Sequence, residues 1–462
     1  MAWGNVVGVA SWLERLQRND PSLTSVTVFR GRLFGPAEAA AVAEALRTNT
    51  HVTEFYASGH PMDPQTAGLF ADMLAVNATI KSLCVGDQDF ADAGLIALAP
   101  GLAASASLAA IDLENKGVGD EGARALGAAL GGGGARSLTT INLARNDTLG
   151  ETGVAAVCAG AAEGGILTTL TLAGIALTDL ACEALGDLLA SACPLKCLDL
   201  TDATGGVAGA GAARLATGLA QRAAAGNGLD ALVLDGIVLG DAGAQALAST
   251  SPLSVHALSL QGCNIGEEGG IALARAVSAG GLGVEVLHLR DNAVGDAGAA
   301  ALAGATTLKV LDVAANKLGA AGATELVARA SDALKNLCIF GNEAVGNSGM
   351  ADILEAGRAG GAAGLTVLDV GGCGVEEAGM LHMCEVLIKE STIFPALETL
   401  VVGGNPGVQG DAWEAALERL REARPGLDVA WRAADTGDDQ QQRGHQLIEE
   451  YKQQGGAFPA GP

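Results

Sequence analysis

Apolar residues recur along this chain in a fixed frame. Segments of the form L-x-x-L-x-L, with Val or Ile at some of the apolar places, begin at Leu23, Val52, Ile80, Leu108, Leu138, Leu167, Leu195, Leu229, Val255, Val284, Leu308, Leu334, Leu365 and Leu397. These fourteen starts lie about 29 residues apart, a period that signals stacked structural repeats. Each segment alternates apolar and polar residues, as in Leu287-His288-Leu289 and Leu311-Asp312-Val313, which predicts a short strand with one face inward. A turn follows, often Gly-Asp-x-Gly: Gly119-Asp120-Glu121-Gly122, Gly240-Asp241-Ala242-Gly243 and Gly295-Asp296-Ala297-Gly298, with Gly266-Glu267-Glu268-Gly269 a near copy. The acid stands where a helix N-cap or first-turn residue belongs, able to accept from free N–H groups at the positive helix end. Ala-rich runs such as residues 297–303 then read as helices whose small side chains let neighbours stack closely.

Strand, turn and helix repeated in this way predict an α/β solenoid, a horseshoe with parallel strands on the concave face and helices on the convex face. No linker divides the repeats, so the expected organisation is a capping helix within residues 1–22, one solenoid over 23–432 and a polar extended tail over 433–462. Trp12, Leu13 and Leu16 mark the cap. Trp413 to Leu420 reads as the last helix, and Leu427 to Trp431 as a closing strand.

Over residues 23–431 the pattern resembles the ribonuclease-inhibitor subtype of leucine-rich repeat, and with it the repeat arms of NOD-like receptors and the Ran GTPase-activating protein. That family usually places Asn or Cys at the ninth position of each unit, where the side chain bonds backbone groups left unpaired by the strand-to-loop turn. Here the position holds Asn146, Cys263, Asn292, Asn316, Asn342, Cys373 and Asn405, but Gly31, His60, Gln88, Lys116, Ile175, Ala203 and Ile237 elsewhere. The resemblance therefore implies a regular C-terminal half and a less regular N-terminal one.

Composition narrows the functional classes. A formal charge of −25 argues against nucleic acid and anionic membrane as partners, since both take clustered Lys and Arg. The longest uncharged run, residues 93–111, contains Pro100, Gly101, Ser105 and Ser107 and reads as helix, loop and strand rather than a membrane span. Residues 1–7 carry no basic leader or long apolar stretch, and nine cysteines lack a framework spacing, so a cytoplasmic, reducing location is expected.

Chemical motifs dissolve into the repeat. Gly117-Val118-Gly119-Asp120-Glu121-Gly122 matches a dinucleotide fingerprint, yet the same turn recurs in other units without the first glycine. Cys193 and Cys197 have no second pair or His at ligand spacing. No nucleophile, base and acid fall on adjoining units, so no enzyme activity, cofactor, metal or small-molecule substrate is expected. Partner-binding candidates are the outward-facing Phe29, Tyr56, His288, Arg290 and Phe340, with Tyr451 and Phe458 on the tail. Asp112, Glu114, Asp199, Asp202, Asp235, Asp312 and Asp369 form either an electronegative concave surface or a solvated face.

The reading this supports first is a non-catalytic protein–protein interaction scaffold or docking subunit of a larger assembly. Subtype relatives serve so in cytoskeletal structures, ciliary axonemes among them. The resemblance also admits an inhibitor of a basic enzyme and a GTPase activator, but the nine cysteines are few for ribonuclease inhibitor, and the Ran activator's functional residues find no match here. Contact is expected on the C-terminal third, where Asn and Cys keep the repeats regular.

Overall fold

The computed structural model describes residues 9–205, 207, 209–249, 255–278 and 283–431, and the chain divides after Gly206 into two compact units. The first opens with the helix Ala10–Gln17, which buries Leu16 and brings the Trp12 ring to 6.4 Å from Phe34. Phe34, Phe55 and Phe70 continue this aromatic cluster beneath the first repeats, at centroid spacings of 6.3 and 5.7 Å. Seven strands follow in chain order, from Ser25–Thr27 to Cys197–Asp199, all parallel. Their register sets Thr27, Tyr56, Cys84, Asp112, Asn142, Thr171 and Asp199 side by side.

In the second unit eight parallel strands run from Leu229–Val233 to Asp428–Ala430, again in chain order. Its last helix, Asp411–Ala423, buries Trp413, whose ring meets Trp431 edge-on at 6.0 Å. Each unit is thus a stretch of α/β solenoid, and a strand stands at all fourteen predicted starts and at the closing position. The uncharged run resolves into the helix Ala91–Ala104 and the strand Ala110–Asp112. Among the described residues, no helix is long and apolar enough to cross a membrane.

The ninth position works as the family pattern implies. Asn146 is the fullest case: its Nδ2 donates to Leu113 O, Leu143 O and Ala144 O, and its Oδ1 accepts from the amides of Lys116 and Val118; Asn342 does the same with Val313 O, Ile339 O and the amides of Asn316 and Leu318. Cys263 and Cys373 replace the donor with a thiol, bonded to Leu234 O and Ile339 O. The N-terminal repeats are less bare than expected. His60 reaches Val28 O at 3.2 Å, and buried Lys116 donates from its ammonium to Ser58 Oγ at 2.6 Å. A second ladder, at the turn from helix to strand, was not read from the sequence. There Asn77 Nδ2 donates to Leu46 O and Asn49 O while Oδ1 accepts from Thr79 N and Ile80 N, and Asn49 and Ser105 hold the equivalent turns.

The Gly-Asp-x-Gly turn corrects one expectation. Its acid does not cap its own helix but the helix of the following repeat. Asp120 Oδ1 accepts from Gly150 N and Gly153 N, Asp241 Oδ1 from Gly266 N and Gly269 N, and Asp296 Oδ1 from Gly319 N and Gly322 N, as does Asp92 Oδ1 of the related turn Ala91-Asp92-Ala93-Gly94 from Gly119 N and Gly122 N, all at 2.7 to 3.0 Å. The second glycine is required by this contact: a Cβ at Gly322 would stand 2.4 Å from Asp296 Oδ1. Each turn is therefore a clasp between neighbouring repeats, and it satisfies N–H groups that a helix start leaves unpaired.

Candidate functional site

The second unit holds the densest group of titratable side chains on its strands. Ser259, His288, Asp312, Cys338 and Asp369 lie in one register row, with Arg290 and Phe340 two residues further along their strands. Asp312 Oδ1 accepts from Ala314 N at 2.9 Å, and its Oδ2 lies 3.4 Å from Arg290 Nε. His288 Nδ1 stands 3.9 Å from the same oxygen, too far for a hydrogen bond. Burial pushes the Asp312 carboxyl up, but His288 and Arg290 outweigh it and hold the group below the usual carboxylate range. The Arg290 guanidinium lies over the Phe340 ring at 5.7 Å, a cation–π contact.

His288 and Arg290, expected as outward anchors, are each only 8% exposed. The cause is the small size of what surrounds them. Phe340 rests on glycines of the next two repeats, with a Cβ at Gly371 standing 2.8 Å from Phe340 Cδ2 and one at Gly404 3.8 Å from Cε2. Long side chains therefore lie along the strand row instead of projecting from it. Phe340 is half-buried, as is Tyr56 in the first unit, between Thr27 and Cys84. Phe29 is exposed just past the first strand. Tyr451 and Phe458 lie outside the described residues.

The concave acids have a local task. Asp112, Asp199, Asp312 and Asp369 each accept, through Oδ1, from the amide two residues on, which closes the turn that ends the strand. Asp235 instead accepts from Ser259 Oγ and Gln261 N of the neighbouring repeat. Glu114 meets Arg145 at 3.4 Å. One oxygen of each turn-closing aspartate is thus committed to the backbone, which blunts the electronegative surface the sequence offers.

Groups that could carry chemistry are similarly engaged. The Gly119 and Gly122 amides of the fingerprint-like turn, which a phosphate would need, are held by Asp92. All nine cysteines are buried. Burial pushes Cys84, Cys158, Cys263, Cys373 and Cys384 up to about 12 and Cys338 well above the ordinary thiol range, so at neutral pH these are protonated thiols. Among the described residues, no three His, Cys, Asp or Glu side chains are grouped to hold a metal ion.

Large apolar side chains are exposed elsewhere. In the first unit, Leu69 and Ile96 stand on the solvent side of the helices Pro64–Leu74 and Ala91–Ala104, and Val76 just past the first of these, at 40, 47 and 57% exposure. The exposed residues of the second helix are Ala93, Ile96, Pro100 and Ala104, with no charge among them. Sequence reading missed this face because its residues belong to an Ala-rich helix pattern, although the absence of any Lys or Arg from residues 82–115 was a visible signal.

A leucine-rich-repeat family model matches residues 134–158, 252–274, 284–303 and 304–327. The chain is 27% identical over 427 residues to ribonuclease inhibitor of Sus scrofa, covering 89% of each chain. Among solved structures it is similar to a chain of the yeast Rad7 and Elc1 complex, with 14% identity, coverage of 93% of this chain and 94% of that one, and a TM-score of 0.48. It is also similar to a chain of the TLR13–ssRNA13 complex, with 15% identity, coverage of 91% and 52%, and a TM-score of 0.44.

Proposed function

We propose that this leucine-rich-repeat chain, similar to ribonuclease inhibitor along most of its length, is a non-catalytic docking subunit that holds protein partners within a larger assembly. The observation that supports this most is the exposure of Leu69, Val76 and Ile96 on the outer side of two neighbouring helices of the first unit, whose one exposed charged residue is Asp72. Apolar side chains gathered on adjoining helices, in a chain of net charge −25, are a surface to be covered. The contact is placed there and not on the C-terminal third, because His288 and Arg290 are taken up by internal packing. Buried protonated thiols suit a reducing cytoplasmic setting, and the subtype resemblance offers cytoskeletal assemblies, the ciliary axoneme included, as its context.

Affinity purification of the tagged full chain from its native source, with partner stoichiometry measured, tests this reading. Wild type is expected to retain at least one stoichiometric partner, and Leu69→Asp with Ile96→Asp to lower its recovery by roughly tenfold without changing the far-UV spectrum or melting. No stoichiometric partner with wild type, or full retention by the double variant, would overturn it.

Inhibition of a basic enzyme is the second reading, favoured by the likeness to ribonuclease inhibitor and by the acidic charge. Because the strand-end aspartates are bonded to backbone amides, equimolar protein is expected to leave the turnover of a basic pancreatic-type ribonuclease unchanged. Stoichiometric inhibition would reverse the order of the two readings.

A further inference from the structure

The helices Pro64–Leu74 and Ala91–Ala104 meet closely along one seam: a Cβ on Gly101 would stand 2.3 Å from Ala71 Cα, so these two residues face each other. By helical spacing, Gly68 and Ala75 lie beside Ala71, and Ala97 and Ala104 beside Gly101, on the solvent side of that seam. All four are small and at least partly exposed, and a Cβ on Gly68 would meet nothing within 4 Å. Leu69 and Val76 border the seam on one side, Ile96 and Pro100 on the other, all exposed. The result is a shallow furrow between apolar ridges, a form into which the side-chain ridge of a further helix fits.

An occupant must bring its own backbone hydrogen bonds, because the furrow is made of helix sides whose amides are spent within their own helices. That selects a helix over an extended strand. Charge selects the kind of helix. Among the exposed and half-buried residues of 67–76 and 93–104, Asp72 is the one polar side chain. It stands between Leu69 and Val76 on the same ridge, and among the described residues it has no ion pair or hydrogen bond. The cations beside the flanking helices, Arg47 and Arg124, are already paired, with Glu44 at 3.7 Å and Glu121 at 2.7 Å. Asn77 and Ser105 hold equivalent turns, which puts Asp72 level with Pro100 of the neighbouring helix. Pro100 has no N–H to give to Ile96 O, and that carbonyl is left without its helical donor. The furrow thus offers two acceptors and no donor. We infer that it takes an amphipathic helix of a partner protein, whose apolar stripe is flanked by lysine or arginine. The apolar side chains lie between the ridges over Gly68, Ala75 and Ala97, and the cation meets Asp72 and Ile96 O. An anionic lipid surface would be repelled by a chain of net charge −25.

This inference rests on the docking reading of the same face and names its occupant. The test is fluorescence anisotropy of the full chain with a labelled, hydrocarbon-stapled helical peptide that carries leucines at i, i+4, i+7 and i+11 and lysines beside that stripe. Saturable binding is expected, weaker by about tenfold for the same peptide with glutamate in place of lysine. Asp72→Lys should reverse that preference, which a merely structural role of Asp72 would not do, and should leave melting unchanged because the side chain is exposed. Gly68→Leu fills the furrow without adding charge. It should abolish binding while the chain still folds, since nothing stands within 4 Å of the first added atom. The inference is overturned by no binding, by equal binding of the two peptides, by an unchanged preference in Asp72→Lys, or by full binding to Gly68→Leu. It is also overturned by flotation with phosphatidylserine vesicles that Ile96→Asp abolishes, or by a dimer in sedimentation that Ile96→Asp dissolves. If the peptide fails while native partners still depend on Leu69 and Ile96, the docking reading stands without this occupant; if wild type recovers no stoichiometric partner, the docking reading itself fails.

Discussion

Asn316→Leu is expected to lower the stability of the second unit by about 1–3 kcal/mol, because the buried Val294 amide loses its partner, while Leu289 O and Ala314 O each lose one of two donors and keep Asn292 Nδ2 and Asp291 N. Its Nδ2 donates to Leu289 O at 2.7 Å and to Ala314 O at 2.8 Å, and its Oδ1 accepts from Val294 N at 3.2 Å. The residue has no exposure, so water cannot take over these bonds. Leucine has the branched shape of asparagine with bulkier methyl ends, which removes cavity formation as an explanation and adds overpacking in the same direction. The measurement is the urea midpoint, expected to fall with the slope unchanged, and amide exchange, expected to rise first at Val294. A midpoint equal to that of wild type would mean that the turn does not depend on this side chain.

Asn316 also marks what the sequence could and could not show. The register of the repeats was legible because L-x-x-L-x-L is a local pattern, and Asn or Cys nine residues into a unit falls at a fixed offset from it. Contacts one repeat apart were harder. Asp120 looks like a cap for the helix that follows it, and only the stacked geometry shows it holding Gly150 and Gly153 instead. The helix-to-strand ladder was present as Asn49, Asn77 and Ser105 at 28-residue spacing, but these residues stand before the apolar frame that defines each unit. Alternation correctly put His288 and Arg290 on one strand face. It could not show that small neighbours such as Cys338, Gly371 and Gly372 let Arg290 and Phe340 lie flat, so exposure was misjudged. The outer helix face was hidden for a related reason: alanine is compatible with core and surface alike, and only the stacking shows which side Leu69 and Ile96 take.

The same stacking makes two additions of a single methyl group act in opposite directions. Gly160, on the helix Glu151–Gly164, faces the backbone of the helix Asp120–Leu130 so closely that a Cβ would lie 2.0 Å from Gly127 O and 2.8 Å from Gly127 Cα. A Cβ at Gly127 would in turn stand 2.2 Å from Ala156 O. Neither obstacle is the end of a flexible side chain, so the helices themselves must separate, and Gly160→Ala is expected to destabilise the first unit by about 3 kcal/mol, at the upper end of ordinary overpacking. Gly68, on the helix Pro64–Leu74, has nothing within 4 Å of the same added atom. There the only change is the removal of glycine's excess freedom in the unfolded chain, and Gly68→Ala should stabilise by about 0.5–1 kcal/mol. Helix propensity alone would raise stability at both sites. Urea midpoints that move apart, down for Gly160→Ala and up for Gly68→Ala, are the expected result, and a rise at both would mean that these two helices do not meet at Gly127 and Gly160.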